Sequence, residues 1–147
     1  WAAAATPPCP PVLFHELLLQ QERRTPYNSV LVLGDGSHVT YRALCGASRA
    51  LAAALRRAGV RSGALVGLLA ARSLEMVVGM LGILMANAGY VPLMPDFPED
   101  RLRFILDDAA VEVLCAAQRF WKEATMLRGK ATIQLEAFVV GLASGSW

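Results

Sequence analysis

The residues whose types bear on catalysis are few. There are two histidines and three cysteines among 147 residues. A histidine acts as a general base only with a nucleophile or an orienting carboxylate within reach. His15 falls on the polar side of an expected helix and His38 in a short expected strand. Neither has an Asp, Ser or Cys partner at a catalytic spacing, so both read as structural or solvated. Cys9, Cys45 and Cys115 are widely scattered. No pair has metal-ligand or redox spacing, and an odd number fits poorly with a disulfide framework. They read as buried or incidental thiols in a reducing compartment. No His/Cys/Asp cluster has the spacing of a metal site. Asp107-Asp108 is the one candidate carboxylate pair, but adjacent helical side chains diverge by about 100° and do not share a proton. Gly34-Asp35-Gly36 lacks the third glycine of a dinucleotide fingerprint and leads into a strand, so it reads as a hairpin turn. Arg56-Arg57 closes a helix, where cations complement the dipole. The expected catalytic, cofactor-binding and metal-binding residues are therefore none.

Composition limits what these residues can be built into. Hydrophobic residues make up 55% of the chain and charged residues 18%, which excludes intrinsic disorder. Fourteen basic residues against 12 acidic ones leave a formal charge of +2, too near balance for a nucleic-acid binder. The length suits one domain or a piece of a larger one. The first residue is Trp1 rather than Met, and with the apolar composition this suggests a fragment whose remainder covers apolar surface. Trp1–Pro11 has no basic stretch before its alanines and reads as an irregular Pro/Ala-rich leader rather than a secretory signal. Met76–Leu93 carries no charge and is long enough to span a bilayer. Gly79, Gly82, Asn87, Gly89 and Pro92 interrupt it, and Asn87-Ala88-Gly89 splits it into a buried helix and a short strand. A small membrane protein with a span at 76–93 is the alternative; no membrane span is the expectation.

The elements follow from periodicity and punctuation. Val12–Arg24 is an expected helix with Leu13, Phe14, Leu17 and Leu18 on one face and Glu16, Gln20, Glu22 and Arg23 on the other; Thr25-Pro26 ends it. Ser29–Leu33 and His38–Thr40 form an expected β-hairpin. Thr40 caps a helix over Tyr41–Ala58, with Leu44, Ala47, Leu51, Leu55 and Ala58 inward. Gly59 and Val60 then supply a left-handed C′ residue and its hydrophobic contact. Ala64–Leu69 is an apolar run without alternation, as in a strand buried on both faces. Ser73 caps a buried helix reaching about Ala86, and Tyr90–Leu93 is the next buried strand, beside Ala64–Leu69. Pro98 opens a helix with Leu102, Ile105, Leu106 and Ala109 inward, and Val111–Cys115 is a further strand. Beyond Ala117 the pattern is weaker: Arg119–Arg128 is compatible with a helix, Ala131–Val140 with a strand, and Gly141–Trp147 with a loop or a frayed end. Strand, helix, strand, helix, strand predicts the α/β class: a mostly parallel sheet with flanking helices and right-handed crossovers.

Two stretches resemble the start of an adenylate-forming enzyme, the superfamily of AMP-dependent synthetases and ligases. Val39-Thr40-Tyr41-Arg42-Ala43-Leu44, continuing to Gly59-Val60 and Gly63, is similar to the family's Leu-Thr-Tyr-x-Glu-Leu opening, with Ala43 in place of Glu. Leu84-Met85-Ala86-Asn87-Ala88-Gly89-Tyr90-Val91-Pro92-Leu93, preceded by Arg72-Ser73-Leu74-Glu75 and followed by Pro95 and Pro98-Glu99-Asp100-Arg101-Leu102, is similar to Leu-Lys-Ala-Gly-x-Ala-Tyr-Val-Pro-Leu-Asp-Pro. Met85, Asn87, Gly89 and Met94 are departures from that segment. Phe14-His15-Glu16-Leu17 and Arg24-Thr25-Pro26 resemble the family's entry helix. The style is closest to the adenylation domains of nonribosomal peptide synthetases.

The resemblance covers residues 12–117. It implies the N-terminal part of an adenylation domain there, after a leader at 1–11 and before a divergent stretch at 118–147. It implies ATP and Mg as cofactors of the full-length family, with CoA or phosphopantetheine as thiol acceptor and a small carboxylate as substrate. The implied reaction is activation of a carboxylate, here of an amino acid, as an acyl-adenylate. The partner implied is the remainder of the adenylation domain, and the compartment is the cytoplasm. The family's Gly-rich phosphate loop with its Lys, and its catalytic Lys, have no counterpart in the sequence; Ala143-Ser144-Gly145-Ser146 lacks the glycines and Lys that would follow. The chain is therefore expected to be inactive alone. A non-catalytic remnant or interaction module of the same fold is the alternative.

Overall fold

A computed structural model describes residues 12–127, 130–140 and 142. Its elements run α1 (Phe14–Arg24), β1 (Ser29–Val32), β2 (His38–Thr40), α2 (Tyr41–Arg57), β3 (Leu65–Leu69), α3 (Leu74–Met85), β4 (Gly89–Leu93), α4 (Glu99–Asp108) and β5 (Val113–Ala116). A 3-10 turn (Gln118–Phe120), α5 (Trp121–Met126), β6 (Ala131–Gln134) and α6 (Glu136–Val139) follow. β1 and β2 pair antiparallel. The Leu33 N–H donates to the Ser37 carbonyl at 2.8 Å across their turn.

β3, β4, β5 and β6 form one parallel sheet in the order β4-β3-β5-β6. The chain moves from β3 outward to β4, then back past β3 to β5 and on to β6. With right-handed crossovers such a reversal must put the connecting helices on opposite faces. The packing agrees. One apolar cluster joins α2 and α3 to one face through Leu44, Leu51, Leu55, Val66, Leu68 and Ile83. A second joins α4 and α5 to the other face through Leu69, Leu102, Leu106, Leu114 and Ala124. The expected α/β class and mostly parallel sheet with flanking helices are thus present.

Three helices end on the same hydrogen-bonded turn. After α2, the Gly59 N–H donates to the Arg56 carbonyl at 3.1 Å and the Val60 N–H to the Leu55 carbonyl at 3.0 Å. After α3, Asn87 donates to Leu84 at 3.0 Å and Ala88 to Ile83 at 3.2 Å; after α4, Ala110 donates to Asp107 at 3.1 Å and Val111 to Leu106 at 2.8 Å. Such a turn needs its C′ residue in the left-handed region. Gly59 (φ 91°), Asn87 (φ 58°) and Ala110 (φ 50°) all occupy it. The departure from Gly at Asn87 is therefore accommodated by a residue that tolerates this conformation. The turn at Asn87 also breaks the apolar stretch 76–93 into α3 and β4. No helix among the described residues is long and apolar enough to cross a membrane.

The start of α2 is secured as expected. The Thr40 hydroxyl accepts from the Ala43 N–H at 3.2 Å, while Arg42 and Tyr41 donate to the Pro26 and Asn28 carbonyls. Gly82 brings α2 and α3 together, because a Cβ there would lie 2.6 Å from Leu51 Cδ2.

Several expectations are corrected. α1 buries no residue, and Leu13, Phe14 and Leu17 on its apolar face are 55%, 63% and 52% exposed; its inward contacts come from Leu18 and Leu19. Ala58 is exposed because α2 ends at Arg57. The Ser73 hydroxyl makes no capping bond and is buried without a partner in the structure. β4 pairs with β3 as expected but is an edge strand with Tyr90 and Pro92 exposed. An edge strand tolerates the missing N–H of proline. Within 131–140 the strand stops at Gln134, and the apolar residues beyond it turn into α6. Short apolar runs fit strand and buried helix alike, and the packed surface chooses. Leu135 and Leu142 are 0% and 1% exposed and belong to the core cluster of α2 and α3. Cys9, the leader 1–11, Arg128, Gly141 and residues 143–147 lie outside the described residues.

Candidate functional site

Doubly wound sheets bind ligands beyond the carboxyl ends of their strands, where the chain reverses direction. Here that place lies beyond β3 and β5, at the turns Ala70–Ser73, Ala117–Gln118 and Leu135–Glu136. The Ala117 N–H donates to the Leu69 carbonyl at 3.0 Å and ties the two strand ends together. The Glu136 Oε1 accepts from the Gln118 N–H at 2.6 Å, and the Gln134 amide donates to Gln118 Oε1. The second carboxylate oxygen of Glu136 and the Ser73 hydroxyl are buried and have no hydrogen-bond partner in the structure. Gln118, Gln134 and Glu136 were not singled out by sequence reasoning. No motif marks them, because the pairing of β5 with β6 brings the ends of these two strands together.

The chemistry this edge offers is hydrogen bonding. It does not fit the ATP and Mg that the resemblance implies. The Gln118 N–H is already given to a carboxylate, and Glu136 itself would repel a phosphate. Among the described residues, no group of three or more His, Cys, Asp or Glu is placed to hold a metal ion.

The sequence candidates stand apart from one another. His15 is half-buried on α1, along a groove shared with Arg49, Arg56 and Met85. Arg49 is ion-paired with Glu22, and Arg56 donates to the Met85 carbonyl. Arg56 thus complements the C-terminal end of α3 rather than only its own helix. His38 Nδ1 lies 3.0 Å from the Ser29 hydroxyl across the exposed hairpin. Asp107 and Asp108 are both exposed, and Asp107 pairs with Lys130 at 3.1 Å. Burial pushes the Cys115 thiol up to about 12. Burial, reinforced by the Glu22 carboxylate, pushes Cys45 up to about 11. Neither thiol is an available nucleophile at neutral pH. The Ser37 hydroxyl and N–H hold the exposed Asp35 carboxyl below its ordinary range, which serves the hairpin turn.

A cleft of about 670 Å³ opens at the opposite edge of the sheet, between Gly59–Gly63 and Ala109–Val113. It faces the C-terminal ends of α2 and α4. Helix C-termini present carbonyl oxygens and partial negative charge, the wrong polarity for a nucleotide phosphate.

The model of the AMP-binding enzyme family matches residues 18–142. The chain belongs to the AMP-binding enzyme family. Its family relatives include bacitracin synthase 3 of Bacillus licheniformis, 40% identical over 100 residues that cover 68% of this chain and 2% of that protein. Tyrocidine synthase 2 of Brevibacillus parabrevis is 36% identical over 132 residues, covering 90% of this chain and 4% of that protein. The chain thus spans only 2–4% of the length of these curated relatives. Among solved structures, the nonribosomal peptide synthetase FmoA3 in its AMPPNP-bound form superposes with a TM-score of 0.82 at 29% identity, over 89% of this chain and 14% of that one. The N-terminal subdomain of Klebsiella oxytoca NpsA shares the fold, with a TM-score of 0.71 at 22% identity over 88% of this chain and 31% of that one. This AMP-binding-family chain therefore carries the parallel α/β layer of an adenylate-forming enzyme's N-terminal subdomain, as the resemblance implied.

Proposed function

We propose that residues 12–117 are the scaffold of an adenylation domain, with residues 1–11 a leader and 118–147 a divergent stretch that contributes β6. The whole enzyme activates an amino-acid carboxylate with ATP and Mg as an acyl-adenylate, releases pyrophosphate, and passes the acyl group to a thiol on CoA or phosphopantetheine. The observation that carries this reading is the superposition of 89% of the chain on an AMPPNP-bound synthetase at a TM-score of 0.82. The role of this chain is to hold the layer on which the remainder of the domain packs. Among the described residues we assign no phosphate clamp, since stabilising a transferring phosphate takes preorganised N–H donors, a cation and a held metal. The free buried thiols Cys45 and Cys115 support a reducing compartment, and we place the enzyme in the cytoplasm.

The test is amino-acid-dependent pyrophosphate exchange by the purified chain over a panel of amino and aryl acids, with calorimetric titration of ATP alongside. The expected result is no exchange above background and no micromolar ATP affinity. Clear exchange would place the chemistry inside these 147 residues and overturn the scaffold reading.

A further inference from the structure

We draw no further inference here: the strongest candidate, the apolar groove of about 380 Å³ between α1, the β1–β2 hairpin, α3 and β4, presents an unpartnered face and nothing in the structure shows what covers it.

Discussion

Ala110→Gly is expected to stabilise the protein. Ala110 is the C′ residue of α4 at φ 50°, where the Cβ of an L-residue crowds the following carbonyl and costs roughly 1–2 kcal/mol. Its side chain is exposed, so removing the methyl group gives up little burial. Both hydrogen bonds of the turn, Ala110 to Asp107 and Val111 to Leu106, are backbone bonds and are kept. Against the relief stands the larger conformational freedom of glycine in the unfolded chain, roughly 0.4–1 kcal/mol. The net gain is about 0.5–1 kcal/mol, which for a chain of this size raises Tm by about 2–4 °C per kcal/mol. Two controls bracket the argument. Gly59→Ala places the same strain after α2, at φ 91° with nothing within 4 Å of the new Cβ, and is expected to lose about 1 kcal/mol. Ala109→Gly lies at φ −83°, where there is no strain to relieve, and is expected to lose a few tenths of a kcal/mol to about 1 kcal/mol. Urea denaturation followed by circular dichroism reads all three as shifts in midpoint at constant slope. If the Ala110→Gly midpoint falls together with that of Ala109→Gly, the left-handed strain does not govern this turn and the reasoning is refuted.

Thr40→Ala removes the hydroxyl that accepts from the Ala43 N–H and is expected to cost about 0.5–2 kcal/mol; an unchanged denaturation midpoint would show that the cap contributes nothing. Gly82→Ala puts a Cβ 2.6–2.9 Å from Leu51 Cδ2, Cγ and Cβ. The overlap costs about 1–3 kcal/mol against a helix-propensity gain of about 1 kcal/mol, so the expected result is a net loss of Tm, and a gain would mean that α2 and α3 separate freely. The Cys115 thiol, raised from an ordinary 9.0 to about 12, keeps its proton in the folded state after the unfolded chain has lost its own. Its contribution is therefore whole below pH 9 and declines as pH rises toward 12, at most by about 1.4 kcal/mol per pH unit. Denaturation midpoints between pH 8 and 10.5 are expected to fall more steeply in the parent chain than in Cys115→Ala; equal slopes would show that the thiol titrates normally.

The candidate site was the least legible part of the sequence. Its polar side chains belong to Ser73, Gln118, Gln134 and Glu136, which no spacing rule connects, and the last three meet because β5 and β6 lie side by side. The histidines and the Asp107-Asp108 pair lie on separate surfaces: His15 in a groove beside Arg49 and Arg56, His38 against the Ser29 hydroxyl of the hairpin, and Asp107 against Lys130. The Ser29–His38 contact joins the two paired strands, so strand register rather than short-range spacing creates it.

What the sequence alone determined was local: the Thr40 cap, the left-handed turn at Gly59, the hairpin at Gly34-Asp35-Gly36 and the alternation of strand and helix from β3 to β5. These depend on neighbours within a few residues, and side-chain size and backbone preference settle them. The alternation with right-handed crossovers also fixed the class of fold. The tertiary structure alone decided which apolar surfaces are used. It turned Phe14 and Leu17 outward, set β4 at an edge with Tyr90 exposed, and bent Glu136–Val139 into a helix against α2 and α3. An apolar residue carries no label for the surface that will cover it. Burial is a property of two faces, and only the packed chain brings the second face into place.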